Sequence, residues 1–156
     1  MTTQEQLTQT FNNNFVAYYR SHVAHINIMG RNFRSDHKLL QGIYERRQAQ
    51  IDILGELLRT LDDYMPCEIQ DVLNQSEIGT GIFEEDADGF LEGVKDDLEL
   101  LKGTYEELMV IAEDEGHKEI ANYAQDQIRI LRKSCWMLSS ILDDADDLDE
   151  EDLFED

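Results

Sequence analysis

The apolar positions of this chain fall into four stripes with helical spacing. Phe11, Phe15, Tyr18, His22, His25 and Met29 are separated by 4, 3, 4, 3 and 4 positions, which makes one face of a long helix that turns histidine-bearing toward its end. Gly30 interrupts the pattern, and Asn32 is a candidate N-cap. Leu40, Tyr44, Arg47, Ile51, Leu54, Leu58 and Leu61 then mark a second amphipathic helix. So short a turn predicts an antiparallel hairpin. The third stripe, Leu91, Val94, Leu98, Leu101, Tyr105, Leu108 and Ala112, alternates steps of 3 and 4 and stops at Gly116. A fourth helix is predicted from Lys118 to Leu142 on Ile120, Tyr123, Ile128, Leu131, Cys135, Leu138 and Leu142, giving a second hairpin.

Residues 63–87 separate the two hairpins, too long a connection for an ordinary bundle turn unless it crosses from one end of the bundle to the other. Its first half, PCEIQDVLNQSEI, reads as a short helix opened by Pro66, and GTGIFEEDADG reads as a loop of glycines and acids. The acids around Gly89 superficially suggest a calcium loop, but Glu84 stands at its opening position and Lys95 where a bidentate glutamate is required. No segment alternates with the period of a strand. The expected fold is therefore all-α: a four-helix bundle over residues 1–142 whose long crossover, between helices two and three, contains a short helix. Residues 143–156, DDADDLDEEDLFED, hold ten acids and no base and are expected to be a self-repelling, disordered tail that keeps particles apart by charge.

Charge narrows the choice of partners. Thirteen Lys+Arg against 35 Asp+Glu give the 156 residues a net charge of -22, which disfavours DNA and acidic membranes. No run approaches the roughly 18 apolar residues needed to cross a bilayer, and the start, MTTQEQLTQT, has neither basic leader nor apolar signal core. A cytoplasmic protein is expected. Cys67 and Cys135, with no CxxC spacing, are expected as reduced, buried thiols.

Metal sites in helical bundles are built from imidazoles and carboxylates on neighbouring helices at matching heights. His25 and His37 each lie six positions from Arg31, in the middle of the first turn, so an antiparallel hairpin sets them level. Asp52 and Glu56 are an i, i+4 pair beside the second apolar stripe and can chelate one cation. From His37 to Asp52 is about 22 Å along a straight helix, so one chain cannot bring all four together. Two second helices packed antiparallel about a twofold axis near Tyr44 to Arg47 would bring His37 of one chain level with Asp52 and Glu56 of the other, making two identical sites. Taken singly, such carboxylates are ordinarily a solvated face, and a histidine on an apolar stripe is ordinarily a hydrogen-bonded core residue, the reading kept for His22. Both readings stand at this point.

The segment AHINIMGRNFRSDHKLLQGIYERRQAQIDILGE, residues 24–56, resembles the signature of the Dps family of mini-ferritins: histidine, glycine turn, Asn-Phe, second histidine, then Asp-x-x-x-Glu. The short helix after Pro66 and KSCWMLSSIL around Trp136 resemble the same family, and the likeness spans about residues 7–142. It implies a ferritin-like bundle and a ferroxidase centre shared across a twofold interface, with His25 and His37 from one subunit and Asp52 and Glu56 from its mate as catalytic and metal ligands. It further implies a dodecameric, cytoplasmic shell that oxidises ferrous iron, preferentially with hydrogen peroxide but also with oxygen, and stores the ferric mineral. Imidazole and carboxylate ligands suit iron, and the carboxylate charge favours the ferric product.

The sequence departs from the family's pattern in three places. Gln41 stands where an aspartate is common, and a neutral amide cannot offset a second metal's charge. Ile26 stands where a tryptophan is common. The turn between the last two long helices has Lys118 and Asn122 among Glu113, Asp114, Glu115 and Glu119, which blurs an acidic pore. DNA binding, associated with basic tails in this family, is not expected, because the first basic residue is Arg20 and the C-terminal tail is wholly acidic. The E-x-x-H pairs of larger ferritins are absent. The rival reading is an acidic helical interaction protein on the same fold with a degenerate metal site.

Overall fold

The computed structural model describes residues 1–146. Its helices are α1 (Thr3–Asn27), α2 (Phe33–Thr60), α3 (Ile69–Gln75), α4 (Ala87–Asp114) and α5 (Lys118–Asp146), and no strand occurs among the described residues. This is the all-α architecture expected from the four stripes. Helix α5 continues past Leu142 to Asp146; residues 147–156 of the expected acidic tail lie outside the described residues.

Hydrogen bonds between elements fix their directions. From α1 to α4, Gln6 donates to the Thr104 carbonyl, Asn13 to the Thr104 hydroxyl, and Arg20 pairs with Asp97, so positions rise on one helix as they fall on the other. Thr3, at the head of α1, donates both its backbone N–H and its hydroxyl to Glu115 beyond the end of α4, and these bonds hold the Glu115 carboxyl below its ordinary range. Helices α2 and α5 are likewise antiparallel, through Arg47 to Gln127 (2.9 Å) and Tyr123 to Gln50 (2.6 Å). Helix α2 thus ends beside the start of α1, whereas α4 begins near Gly30, so residues 61–86 must run the length of the bundle. They do so along α1: Asn13 accepts from the Glu77 N–H (2.8 Å), and Arg20 donates to the Gly81 carbonyl.

Every residue of the third stripe is buried, Leu91 through Ala112, as the uninterrupted alternation requires. Each fully buried leucine contributes roughly 1.5–3 kcal/mol of transfer free energy. Helix α1 is different in kind. Its first turns bury Thr3, Gln6, Thr10, Asn13 and Asn14; Thr10 donates back to the Gln6 carbonyl of its own helix and the other four bond to neighbouring elements, so the inner face extends before Phe11 without an apolar signal. Arg47 is buried at 1% exposure and paired with Gln127 and Asn14, with no carboxylate beside it; burial lowers its proton affinity while the Tyr105 and Tyr123 hydroxyls oppose that shift.

Several local expectations are corrected. Asn32 precedes α2 but its side chain makes no cap bond; Ser35 instead donates to its carbonyl. Pro66 does not open α3, which begins three residues later behind Glu68, because Met65, Pro66 and Cys67 are still extended chain leaving α2. Cys67 is exposed on that segment, not buried; Cys135 is buried, and burial pushes its thiol up to about 12. Met29 projects outward past the end of α1. Gly116, with φ +83°, makes the left-handed cap of α4: its N–H bonds the Glu113 carbonyl and the His117 N–H that of Ala112. Asp62 makes the same cap for α2 at φ 60°, with Asp62 and Asp63 donating to Arg59 and Leu58.

Phe83 anchors the second half of the crossover. Its ring is covered by the Arg20 guanidinium at 4.1 Å and occupies the space left by the absent side chain of Gly93. A methyl group at position 93 would overlap that ring. Gly93→Ala should therefore destabilise the fold by about 1–3 kcal/mol, despite the better helix propensity of alanine. It should also open the crossover to proteolysis, both read by urea midpoint and limited digestion; an unchanged midpoint would show the ring to be unanchored.

Arg20 also pairs with Asp97 at 2.6 Å. Burial raises the Asp97 carboxyl from 3.8 to about 6 even though the Arg20 hydrogen bond and charge pull it down. The folded chain thus holds this proton more tightly than the unfolded chain. The contribution of Asp97 to stability is complete below pH 3.8 and is lost as pH rises through about 6. Measured against Asp97→Asn, whose side chain does not titrate, the wild type should lose up to about 3 kcal/mol across that window. A urea-midpoint difference that grows with pH instead would mean that the ion pair outweighs burial.

Candidate metal centre

Helix α1 ends at Asn27, which leaves its last carbonyls without intrahelical donors. The Ile28 N–H takes the Ala24 carbonyl, and the next, that of His25, accepts from Nδ1 of His37 at 2.7 Å. The reciprocal bond is also present: Nδ1 of His25 donates to the His37 carbonyl at 2.7 Å. The rings stack at 3.8 Å between centroids, tilted by 17°. A carbonyl oxygen only accepts, so both Nδ1 atoms carry hydrogen, and in the neutral rings both lone pairs reside on Nε2. This is the state in which imidazole binds a metal, held by the same kind of outer hydrogen bond that orients metal-ligating histidines.

His25 is buried and His37 half-buried. Phe33 stacks on the outer face of His37 at 4.9 Å, and Tyr44 lies 5.0 Å from His25 while stacking parallel on His22 at 3.9 Å. Sequence reasoning missed these packing partners. Their signal was present in spacing, since Phe33 is four positions before His37 and Tyr44 seven after it. Ile26 and Met29 are exposed beside the pair.

Asp52 and Glu56 are exposed on one side of α2, along a shallow groove of about 520 Å³ with Ile51, Gly55, Arg59 and Met65. The Met65 sulfur lies 3.0 Å from where a Cβ on Gly55 would stand, so the glycine admits the thioether beside the two acids. Helix α2 is continuous from Phe33 to Thr60, which keeps Asp52 and Glu56 about 22 Å or more along the axis from His37. Among the described residues, no three His, Cys, Asp or Glu side chains of one chain form a metal-holding group. Gln41, one turn after His37, is exposed and donates to Glu45 at 2.9 Å.

Residues 4–148 match the sequence profile of the ferritin-like domain. The chain is 29% identical over 131 residues, 81% of its length, to the DNA protection during starvation protein of Helicobacter pylori, of which 89% is covered. It belongs to the Dps family of ferritin-like proteins. The crystal structure of Dps from Vibrio cholerae O1, described as a member of a broad superfamily of ferritin-like diiron-carboxylate proteins, superposes with a TM-score of 0.84 at 25% identity. That match covers 90% of this chain and 88% of the other. Helicobacter cinaedi CAIP gives a TM-score of 0.83 at 29% identity over 90% and 99% of the two chains. No helix among the described residues of this Dps-family chain is long and apolar enough to cross a membrane.

The reciprocal bonding makes a spectroscopic prediction. In histidine-labelled protein, the 15N spectrum at neutral pH should show His25 and His37 in the Nδ1–H tautomer, and Zn²⁺ should move their Nε2 signals first. An Nε2–H tautomer at either residue would remove the lone pair from the metal-binding position.

Proposed function

We propose that this Dps-family protein is a ferroxidase and iron-storage protein whose sites form between twofold-related subunits. His25 and His37 of one chain and Asp52 and Glu56 of its mate would hold ferrous iron, the substrate, while hydrogen peroxide, or more slowly oxygen, takes the electrons. The ferric product would be stored in a dodecameric shell in the cytoplasm, with no role for DNA or a membrane. The observation that carries the reading is the pair of stacked histidines, His25 on α1 and His37 on α2, whose Nδ1 atoms both donate to backbone carbonyls and leave Nε2 free, out of reach of the Asp52 and Glu56 carboxylates farther along α2. Exposed apolar groups border both halves, Ile26, Met29 and Phe33 at one end and Ile53, Tyr64 and Met65 at the other, as surfaces covered by a second copy would. The carboxylates supply negative charge that favours ferric over ferrous iron, and the imidazoles complete the coordination without adding charge.

Shared sites have a distinctive genetic signature. His37→Ala and Asp52→Ala should each slow peroxide-driven ferric absorbance by an order of magnitude or more when assembled alone. Chains of the two variants unfolded together and co-assembled should recover about a quarter of the wild-type rate, because half of random dimers are mixed and each mixed dimer holds one intact site of two. No recovery would mean that the four residues do not meet across an interface. Variants as fast as wild type would leave the acidic interaction protein as the better reading.

A further inference from the structure

We infer that the groove between α2 and α5 is an anion site of the phosphate class, built from Lys38, Arg46, Arg129 and Lys133. The inference is independent of the iron reading. Lys38 and Arg46 stand at the ends of an i, i+8 row on α2 with Gly42 between them; Arg129 and Lys133 stand one turn apart on the antiparallel α5. Together they line a groove of about 390 Å³. Four of the thirteen cations of the chain are gathered there, and none of its 35 acids lines the groove. The ion pairs among the described residues are Arg20 with Asp97 and Lys102 with Glu99, so no carboxylate neutralises any of the four. Glu45, the acid nearest Arg46 in sequence, is hydrogen-bonded to Gln41.

Four like charges around a small concavity repel one another; Glu45 offsets part of this at Arg46 without an ion pair, and an incoming anion would remove the rest. The groove is also shaped for the guanidinium. A Cβ on Gly42 would lie 3.2 Å from Nη1 of Arg46, so the glycine lets that side chain fold back along the helix and turn its donors over the groove. Two guanidinium groups, which bind oxyanions through paired N–H donors, and two ammonium groups match a small tetrahedral dianion. The volume suits one phosphate with its water.

Equilibrium dialysis of the full chain, free of iron, against radiolabelled inorganic phosphate in chloride buffer tests the assignment. One saturable site per chain is expected. Arg46→Gln and Arg129→Gln should each weaken it about tenfold, the loss of one charge-assisted contact. Arg132→Gln, an exposed cation outside the groove, should change it less than about twofold. Absence of saturation, or an equal loss in Arg132→Gln, would overturn the proposal. Truncation after Asp146 should leave phosphate affinity unchanged; a tenfold gain would assign the groove to the chain's own acidic terminus and overturn it as well. Thermal midpoints within a degree or two of wild type should accompany the groove variants, whose side chains lie on the surface.

Discussion

Two imidazole N–H groups, each given to the other residue's backbone carbonyl, tie the end of α1 to the beginning of α2. One of those carbonyls belongs to the last turn of α1, where the helix itself supplies no donor and its dipole is negative. A lysine or arginine could satisfy the same carbonyl, but would leave a permanent cation where the proposed site would receive a metal. Neutral imidazole donates from one ring nitrogen and keeps a lone pair on the other, the donor set that borderline metals favour. The bond that closes the hairpin therefore also prepares the ligand. Loss of either ring would loosen both the turn and the metal site, so stability must be measured beside activity in any variant of the pair.

The second constraint is the straightness of α2. Sharp kinks need proline, paired small residues, or an insertion into the backbone ladder. Helix α2 has no proline, and its glycines are used for packing: Gly42 is covered by the Arg46 guanidinium and Gly55 by Met65. With no hinge between His37 and Asp52, the roughly 22 Å that separates them along the axis is rigid. The length of helix that gives the bundle its core thus prevents a self-contained site and makes a second subunit part of the chemistry proposed for it.

How much of this was legible in the sequence depended on whether the physics was local. Leu91 through Ala112 are buried without exception because an apolar stripe and a helix face are the same object seen twice. The level pairing of His25 with His37 followed from counting outward from the turn. Their mutual carbonyl bonds did not, since they depend on the helix ending at Asn27 and not a residue later. The buried polar face of α1 was invisible because Gln6, Asn13 and Asn14 resemble solvated residues until the groups that satisfy them, on α4, α2 and the crossover, are in place. Arg47 was legible as a member of the stripe but not as a buried cation held by amide oxygens with no carboxylate beside it. The end of α2 was set by Asp62 in a conformation usually taken by glycine, and Pro66, which looked like a helix start, lies in the extended chain that follows. Cys67 went with that segment into solvent.

The distribution of charge on α2 joins these features. Its inward side carries Leu40, Ile43, Leu54 and Leu58; the outward surface runs from His37 and Asp52 on one flank, through Glu56 and Lys38 on a common line, to Gly42 and Arg46 on the other flank. A row of cations so close to candidate metal ligands would repel iron if their fields overlapped without screening. Lys38 follows His37 directly and lies on the same line of the helix as Glu56, five turns away, so only Arg46 is turned aside; solvent screening over about 8 Å at physiological salt weakens the repulsion of exposed charges. A bound anion in the α2–α5 groove would cancel most of what remains. An anion held in the groove would therefore make the two proposed sites electrostatically compatible on one helix.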